Sequence, residues 1–221
     1  MAKLYGRRKG KRLRAHHSAL VADLLPTLAI DLAAGPVDSV ALFGARRPLH
    51  LEIGFGDGAR LVREAAAHPE IGFIGCEPFV NGLAKALAGV ESLGLTNVRL
   101  HGGDARDLLA ATPDAVLDQV DILYPDPWPK WRQRKRRLIT DAFLAALGRA
   151  MRPGAALRFA TDDADYAAWT LARIGRAADF DWPASNAADW VTPWAGWAST
   201  RYEDKARAAG RPSSYLTFVR R

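Results

Sequence analysis

From Leu49 onward, short apolar runs alternate with longer segments of helical periodicity. The apolar runs predict strands at 49–53, 71–76, 97–101, 119–124, 155–160 and 214–219. The segments between them predict helices at 59–68, 79–93, 135–151 and 163–178. Because most of the runs do not alternate cleanly between apolar and polar residues, we expect strands buried on both faces, as in a parallel sheet. The order of elements predicts an α/β fold, a doubly wound sheet with helices on both faces.

The length of 221 residues fits one domain of this kind. Ahead of the first strand, residues 18–34 predict a helix that is interrupted or restarted at Pro26 and broken by Gly35 and Pro36. We therefore divide the chain into a basic arm, residues 1–17, and a single domain, residues 18–221. The order of the arm can depend on a bound nucleic acid.

Polar and glycine residues follow five consecutive strands of the predicted sheet. They are Glu52 with Gly54–Gly58, Glu77, Asp104, the segment Pro125–Trp128, and Thr161–Asp163. In an open α/β sheet, ligands bind beyond the carboxyl ends of the strands. The pattern therefore predicts one ligand site along this edge.

The glycine turn after the first strand leaves the cofactor class open. Gly54, Gly56 and Ala59 match the dinucleotide pattern, with Glu77 at the distance of a ribose ligand, so an NAD-dependent oxidoreductase is an alternative. Glu52, however, would repel a pyrophosphate and could face the cationic amino and sulfonium end of S-adenosylmethionine. Asp104 could hold an adenine amino group or cap a helix. As a set, the three carboxylates favour S-adenosylmethionine.

The segment after the fourth strand, Tyr124-Pro125-Asp126-Pro127-Trp128-Pro129-Lys130, is a proline-stiffened turn. Trp128 could stack on a flat base, and Lys130 with the basic run behind it could meet phosphates. Similar turns occur in enzymes that methylate amino groups, so methylation of adenine N6 is a further alternative.

Positive charge is concentrated in two segments. Residues 1–17 and 130–137 hold 13 of the 31 Lys and Arg residues, in a chain of net charge +7. Segregated cations gain affinity for a polyanion through counterion release, so we expect a nucleic-acid partner. A catalytically silent RNA-binding module would also explain these two runs, but it would leave the acidic strand ends without a role.

Other residue classes exclude several kinds of site. The single cysteine, Cys76, allows no internal disulfide, and the five histidines have no metal-ligand spacing. No apolar run approaches the ~20 residues that a membrane span needs, and no apolar region of a signal peptide follows the basic arm. We expect a cytoplasmic protein without metal or membrane association.

Taken together, the motifs resemble those of bacterial tRNA (guanine-N7-)-methyltransferases, over nearly the whole chain. The matching segments are Tyr5–Lys11, Leu51–Gly56, Cys76–Pro78, Tyr124–Lys130, Lys135–Leu138, Ala160–Asp162 with Tyr166, and Thr200–Glu203 with Lys205 and Gly210. The turn of 124–130, the following KRR and the late Thr200–Glu203 element are more specific than the glycine motif. The chain departs from the family at Arg201 and Tyr202, where Lys and Phe are typical, and at Tyr215, where an acid is common.

The resemblance implies a Rossmann-like class I methyltransferase with a mostly parallel seven-stranded sheet, acting on a guanine in the tRNA variable loop. It implies that S-adenosyl-L-methionine is the cofactor, that S-adenosyl-L-homocysteine is the product, and that Asp126 is catalytic. The implied cofactor ligands are Glu52, Gly54, Gly56, Glu77, Asp104 and Asp126. The implied tRNA contacts are Lys130, Asp162, Thr200, Arg201, Tyr202 and Glu203. We further expect Asp162 or Glu203 to accept the guanine N1–H and N2–H groups, and the protein to be a monomer or a homodimer.

Overall fold

The computed structural model describes residues 5–6 and 8–221, and within them seven strands form one sheet. The strands are β1 (Leu49–Ile53), β2 (Gly72–Cys76), β3 (Val98–His101), β4 (Leu117–Leu123), β5 (Met151–Thr161), β6 (Phe180–Asp181) and β7 (Ser214–Arg220). Their order in the sheet is β3-β2-β1-β4-β5-β7-β6. All neighbouring pairs among β1 to β5 are parallel, whereas β7 is antiparallel to both β5 and β6. The mostly parallel seven-stranded sheet is confirmed.

Helices cover both faces of this sheet. Their bounds are α1 (Ala15–Ala19), α2 (Leu25–Leu28), α3 (Ser39–Phe43), α4 (Ala59–Ala67), α5 (Val80–Leu93), α6 (Ala105–Ala111), α7 (Asp141–Ala150), α8 (Ala164–Ile174), α9 (Ala188–Val191) and α10 (Arg201–Ala208). One face packs against α6, α7 and α8, and the larger apolar cluster lies there. The other face packs against α4, α5 and the segment 20–28, where a second cluster forms around Leu61 and Leu87.

The middle of the second face is polar. In β1, β4 and β5, residues such as Leu51, Ile122 and Phe159 belong to the larger cluster on the first face. Because side chains alternate along a strand, their neighbours in sequence point to the opposite face. Those neighbours include His50, Glu52, Gln119, Asp121 and Arg158. Charged groups therefore lie beneath α4, next to the strand ends that form the site.

The predicted start of the helix at 135–151 is wrong. Residues Trp131–Arg136 form a 3₁₀ helix, and α7 begins only at Asp141, where the Thr140 hydroxyl accepts a hydrogen bond from the Phe143 amide at 3.2 Å. The extended stretch between them places Arg137 in the protein interior. This tertiary contact overrides the local helical periodicity.

The helix expected at 18–34 is also displaced. Helical structure runs from Ala15 to Leu28, with a π-helical turn at Leu20–Leu24, and Pro26 occupies the first turn of α2. It ends because the backbone of Ala29 bridges to Leu100 and the Ile30 amide donates to the Leu100 carbonyl at 2.9 Å. Backbone pairing with β3 thus ends the helix well before Gly35.

Candidate active site

A cavity of about 620 Å³ lies at the carboxyl ends of β1 to β4. Its walls come from the loops after these strands, from the arm and from α10. The sequence-predicted residues in its lining are Gly54, Gly56, Glu77, Asp104, Asp126, Arg201 and Tyr202. The volume falls in the range of ordinary small-molecule sites. Residues from well-separated parts of the chain therefore meet around one ligand-sized space.

Glu77 holds the glycine turn in place. One of its carboxylate oxygens accepts a hydrogen bond from the Gly56 amide and the other from the Phe79 amide, each at 2.9 Å. Gly54 and Gly56 have φ angles of 76° and 61°, which favour glycine. Burial raises the pKa of Glu77 despite these two hydrogen bonds. Since a carboxylate has about four acceptor positions, Glu77 keeps capacity towards the cavity.

Asp104 is the helix cap that the sequence offered as one alternative, and its contact with an adenine amino group stays a prediction. It caps α6 by accepting from the Arg106 amide at 2.9 Å, and it also lines the cavity. The Arg106 guanidinium donates to both of its oxygens, at 2.9 and 2.6 Å. Burial alone would raise the pKa of Asp104, but the hydrogen bonds from Arg106 outweigh it and lower the pKa. Asp104 is therefore an ionised acceptor at the edge of the cavity.

Asp126 lies in a strained turn. Tyr124 has a φ of 51° and Trp128 a φ of 45°, which are left-handed backbone conformations that non-glycine residues seldom adopt. Such strain persists only where the surroundings impose it. Here the Arg137 Nε atom donates to the Pro127 carbonyl at 2.7 Å and pins the turn from inside. Desolvation raises the pKa of Asp126.

The ring of Trp128 packs against the arm and the 3₁₀ helix. The Arg136 guanidinium carbon lies 4.8 Å from the centre of the Trp128 ring and 5.2 Å from that of Tyr5. The Trp128 and Tyr5 rings also meet edge to face. The arm is thereby attached to the rim of the cavity through Tyr5. Stacking of Trp128 on a base stays a prediction.

The basic run 130–137 does not all face solvent. Arg137 is only 2% exposed, and its guanidinium lies 4.8 Å from the Tyr166 ring centre and 4.9 Å from that of Trp169. The expectation that the whole run meets phosphates is therefore wrong for Arg137. Lys130 and Arg132 are exposed and keep that capacity.

Glu52 lies beneath the site, outside the cavity lining that the structure describes. It is 5% exposed and accepts from Arg60 at 2.9 Å, while the same guanidinium donates to Asp121 at 2.8 Å. Burial raises the pKa of Glu52 to about 7, although Arg60 opposes the shift. Its role as a direct cofactor ligand stays a prediction.

The predicted tRNA contacts are divided between the cavity and the surrounding structure. Arg201 and Tyr202 line the cavity, and Lys130 is exposed. Thr200 caps α10 by accepting from the Glu203 amide at 3.1 Å. Asp162 accepts from Arg211 at 2.8 Å, and the Glu203 side chain points into the interior. Their contacts with tRNA stay predictions.

Comparison with known proteins bears on this site. A family profile described as "Putative methyltransferase" matches residues 46–216. The tRNA (guanine-N(7)-)-methyltransferase of Rhodopseudomonas palustris is 53% identical over 98% of this chain and 87% of its own length. The protein of the same description from Agrobacterium fabrum is 49% identical over 98% of this chain and 94% of its own length.

This chain belongs to the tRNA (guanine-N(7)-)-methyltransferase family. The resemblance read from the motifs is confirmed. Among solved structures, a 16S rRNA (adenine(1408)-N(1))-methyltransferase from Catenulisporales acidiphilia matches 86% of this chain and 91% of its own, with a TM-score of 0.56 and 17% identity. At that identity the likeness shows the fold alone, and it confirms the Rossmann-like class for this family member.

Several residues that shape the site in this methyltransferase escaped the sequence analysis. Arg106 is two positions after Asp104, a local spacing that could have indicated the pair. Arg60 had no local signal, because its partner Asp121 lies 61 positions away in the sequence. Among the described residues, no group of His, Cys, Asp and Glu has a geometry suited to a metal ion. Across the same residues, no helix is long and apolar enough to cross a bilayer.

Proposed function

We propose that this chain transfers a methyl group from S-adenosylmethionine to N7 of a guanine in the variable loop of tRNA. The observation that carries the proposal is the identity of 49–53% with tRNA (guanine-N(7)-)-methyltransferases across 98% of the chain. The cavity at the strand ends supports it, because that is where class I folds bind their ligands. The working site is therefore the space between the glycine turn, Asp126 and α10.

The donor groups of the cavity fit S-adenosylmethionine, which supplies an electrophilic methyl group on a sulfonium. Glu77 offers acceptor positions for ribose hydroxyls, and Asp104 offers them for an adenine amino group. Gly54 leaves open space beside the turn, so that a ligand can approach the backbone there. Glu52 adds negative charge behind the same strand end, although Arg60 neutralises part of it.

The chemistry of guanine N7 suits the residues present. This atom carries a lone pair and no proton, so the reaction needs no general base to create the nucleophile. Methylation places positive charge on the imidazole ring of the base, and the Asp126 carboxylate is placed to stabilise that charge. Orientation of guanine and methyl donor in line supplies a further part of the rate. The product that leaves with methylated tRNA is S-adenosylhomocysteine.

The tRNA side of the proposal uses exposed cations around the cavity. Arg201 and Tyr202 line it from α10, and Lys130 is exposed two positions after Trp128, which also lines it. Asp162 is a candidate acceptor for the N1–H and N2–H groups of guanine, once it is released from Arg211. We place the protein in the cytoplasm as a monomer or a homodimer.

The first experiment measures methyl transfer from labelled S-adenosylmethionine to unmodified tRNA, with the modified nucleoside identified. Asp126→Asn is compared with Asp23→Asn, a matched change on the segment Leu20–Leu24, outside the cavity. We expect 7-methylguanosine from the unaltered protein and from the control. We expect Asp126→Asn to be slower by about 10²-fold or more, the usual effect of removing one electrostatic group that acts in the transition state.

Other outcomes would redirect the proposal. If the labelled methyl group were found on adenine, the protein would still be a methyltransferase, but the assignment of guanine as its target would be wrong. If equilibrium dialysis detected no S-adenosylmethionine binding, the cofactor assignment would fail. Equal rates of methyl transfer for Asp126→Asn and Asp23→Asn would show that Asp126 has no catalytic role.

A further inference from the structure

Glu203 is satisfied by partners within the protein. Its side chain is 2% exposed, although the residue belongs to the α10 element that the sequence assigns to tRNA. One carboxylate oxygen accepts from Trp197 Nε1 at 2.6 Å. The other accepts from the Tyr215 hydroxyl at 2.6 Å and from Arg207 at 2.9 Å. Three donors therefore hold this carboxylate on the inner side of α10, away from solvent.

An aromatic cluster fixes the donors of Glu203 to the sheet. The rings of Trp194, Trp197 and Tyr215 meet edge to face, with centres 5.2 to 5.9 Å apart. Trp194 donates through Nε1 to the Thr217 hydroxyl at 2.7 Å, and both Tyr215 and Thr217 belong to β7. The position of α10 is thereby tied to the antiparallel strand of the sheet.

The same Trp197 ring reaches the charged residues beneath the glycine turn. The Arg60 guanidinium carbon lies 5.7 Å from the centre of the Trp197 ring, while its nitrogens pair with Glu52 and Asp121. Above this layer, a Cβ atom added to Gly56 would lie 3.3 Å from the Tyr202 ring. Helix α10 therefore rests against the glycine turn on one side and on the Trp197 contact on the other.

We propose that Glu203 is a positioning residue, which Trp197 and Tyr215 orient so that α10 holds Arg201 and Tyr202 over the cavity. In this chain Glu203 does not read the guanine base. The inference rests on the proposed function, because it assigns tRNA contact to α10. Tyr215 is central to it. This residue donates a hydrogen bond to Glu203 from β7.

The chemistry of the three contacts favours this role over base recognition. A buried carboxylate is costly to leave with unmade hydrogen bonds, so release of Glu203 towards guanine would strand the Trp197 and Tyr215 donors. Hydrogen bonds to an ionised group are also stronger than neutral ones. The hydrogen bonds of Glu203 to Trp197 and Tyr215 can therefore form only while α10 keeps its observed position against the sheet.

The test compares Trp197→Phe, Tyr215→Phe, Glu203→Gln and the double variant Trp197→Phe/Glu203→Gln. Phenylalanine keeps a ring in each place and removes one donor. Trp182→Phe is the matched control, since Trp182 lies outside the Glu203 network and is 39% exposed. The measured quantities are the dissociation constant for tRNA, KM and kcat for methyl transfer, and the preference for guanine over adenine at the target position. Circular dichroism confirms that each variant is folded.

We expect Trp197→Phe and Tyr215→Phe each to weaken tRNA binding and raise KM by about tenfold, the usual effect of losing one hydrogen bond to a charged group. The guanine preference and the dissociation constant for S-adenosylmethionine should not change. The double variant should lose little more than Glu203→Gln alone, because both changes break one contact. The Trp182→Phe control should bind tRNA like the unaltered protein.

Two results would overturn the inference. One is a relaxed guanine preference in Glu203→Gln with unchanged tRNA binding in both phenylalanine variants, which would place Glu203 on the base. The other is full additivity in the double variant. If one phenylalanine variant fails to fold, the other still carries the test. Since tRNA binding is measured apart from methylation, absence of 7-methylguanosine from the unaltered protein would count against the proposed function and not against this network.

Discussion

Asp126 is a carboxylate in a turn between two left-handed residues, Tyr124 and Trp128. Prolines on both sides of it restrict the backbone further. This geometry fixes the carboxylate before any ligand arrives, which is how charge stabilisation becomes effective in a transition state. The strain at Tyr124 and Trp128 is thus consistent with a functional role for the turn.

The raised pKa of Asp126 predicts an acid limb in the pH dependence of kcat. The proposed reaction needs the ionised form, so kcat should fall as the pH drops through a value above the ordinary 3.8. The measurement is kcat under saturating tRNA and cofactor from pH 4.5 to 8. Asp126→Asn should be slower throughout and should lack this limb. An identical profile in the variant would mean that another group titrates.

At the scale of elements, the arm is held by its backbone. The Val80 amide donates to the Arg8 carbonyl at 3.1 Å, the Gly10 amide donates to the Asn81 side chain at 2.7 Å, and that side chain donates to the Lys11 carbonyl at 2.8 Å. The side chains of Arg8, Lys9 and Lys11 are exposed. The backbone therefore attaches the arm to the domain, while its charged side chains remain exposed to solvent.

Neutralising the arm should weaken tRNA binding, because its exposed cations would lose their contacts with phosphates. A variant with glutamine at positions 7, 8, 9 and 11 loses four positive charges. Of these four positions, Arg7 lies outside the described residues. Each lost phosphate contact should reduce the slope of log affinity against log salt by roughly 0.7 to 0.9. Filter binding at several salt concentrations, from about 50 to about 300 mM and therefore on both sides of the physiological value, measures this slope. The control Arg46→Gln changes an exposed arginine elsewhere and should leave it unaltered.

An unchanged slope in the glutamine variant would mean that the arm does not meet phosphates. Whether the arm is ordered before tRNA binds stays a prediction, and so does the division of the chain at residue 17. Helix α1 already begins at Ala15.

The elements that the sequence predicted well are those with local causes. Strands β1, β2, β3 and β7 start and end within one residue of the expected positions, because continuous apolar runs end in glycine or polar turns. Helix α10 was not expected, since it is short and polar and depends on the Thr200 cap. The late start of α7 depends on Arg137, whose contacts with Tyr166 and Trp169 bridge about thirty residues.

The site follows the same division. The turns that carry Gly54, Glu77, Asp104 and Asp126 could be placed at one edge of the sheet, because the parallel topology brings strand ends together. Whether a side chain at that edge points into the cavity or into the protein interior could not be predicted from the sequence. Glu203 points inward because Trp197, six positions before it, and Tyr215, twelve positions after it on β7, both donate to its carboxylate. Neither contact follows from the periodicity of a helix or a strand.

At the scale of the whole molecule, one face of the sheet carries a buried ionic cluster. Arg60 bridges Glu52 and Asp121, and Gln119 donates to both oxygens of Asp121 at 3.1 and 3.0 Å. Removing one member of a buried pair is costly, since the partner charge remains. This cluster therefore links stability to the region directly beneath the glycine turn.

The pKa of Glu52 predicts how folding stability depends on pH. Because the pKa rises from 4.5 to about 7 on folding, the native state binds more protons than the unfolded chain between these values. The contribution of Glu52 to the unfolding free energy should thus decrease as the pH rises from 4.5 to 7. Glu52→Gln should remove this decrease, which we place at about 1–3 kcal/mol over that window.

Urea denaturation at pH 5, 6 and 7 measures the effect for Glu52→Gln. The matched control is Glu70→Gln, whose side chain is 65% exposed, and it should keep the slope of the unaltered protein. Parallel curves for Glu52→Gln and the unaltered protein would show that Glu52 is ionised throughout this range.

The position of β7 also has a consequence for the growing polypeptide. This strand is made after β5 and β6, yet it lies between them in the sheet. Until β7 leaves the ribosome, the edge of β5 has no partner on that side, and unpaired edges favour association with other chains. Tyr215 and Thr217 arrive with the same strand, so the final packing of Trp194 and Trp197 follows its insertion. The nascent chain therefore completes the packing around α10 last, after strands β1 to β5 have had time to form.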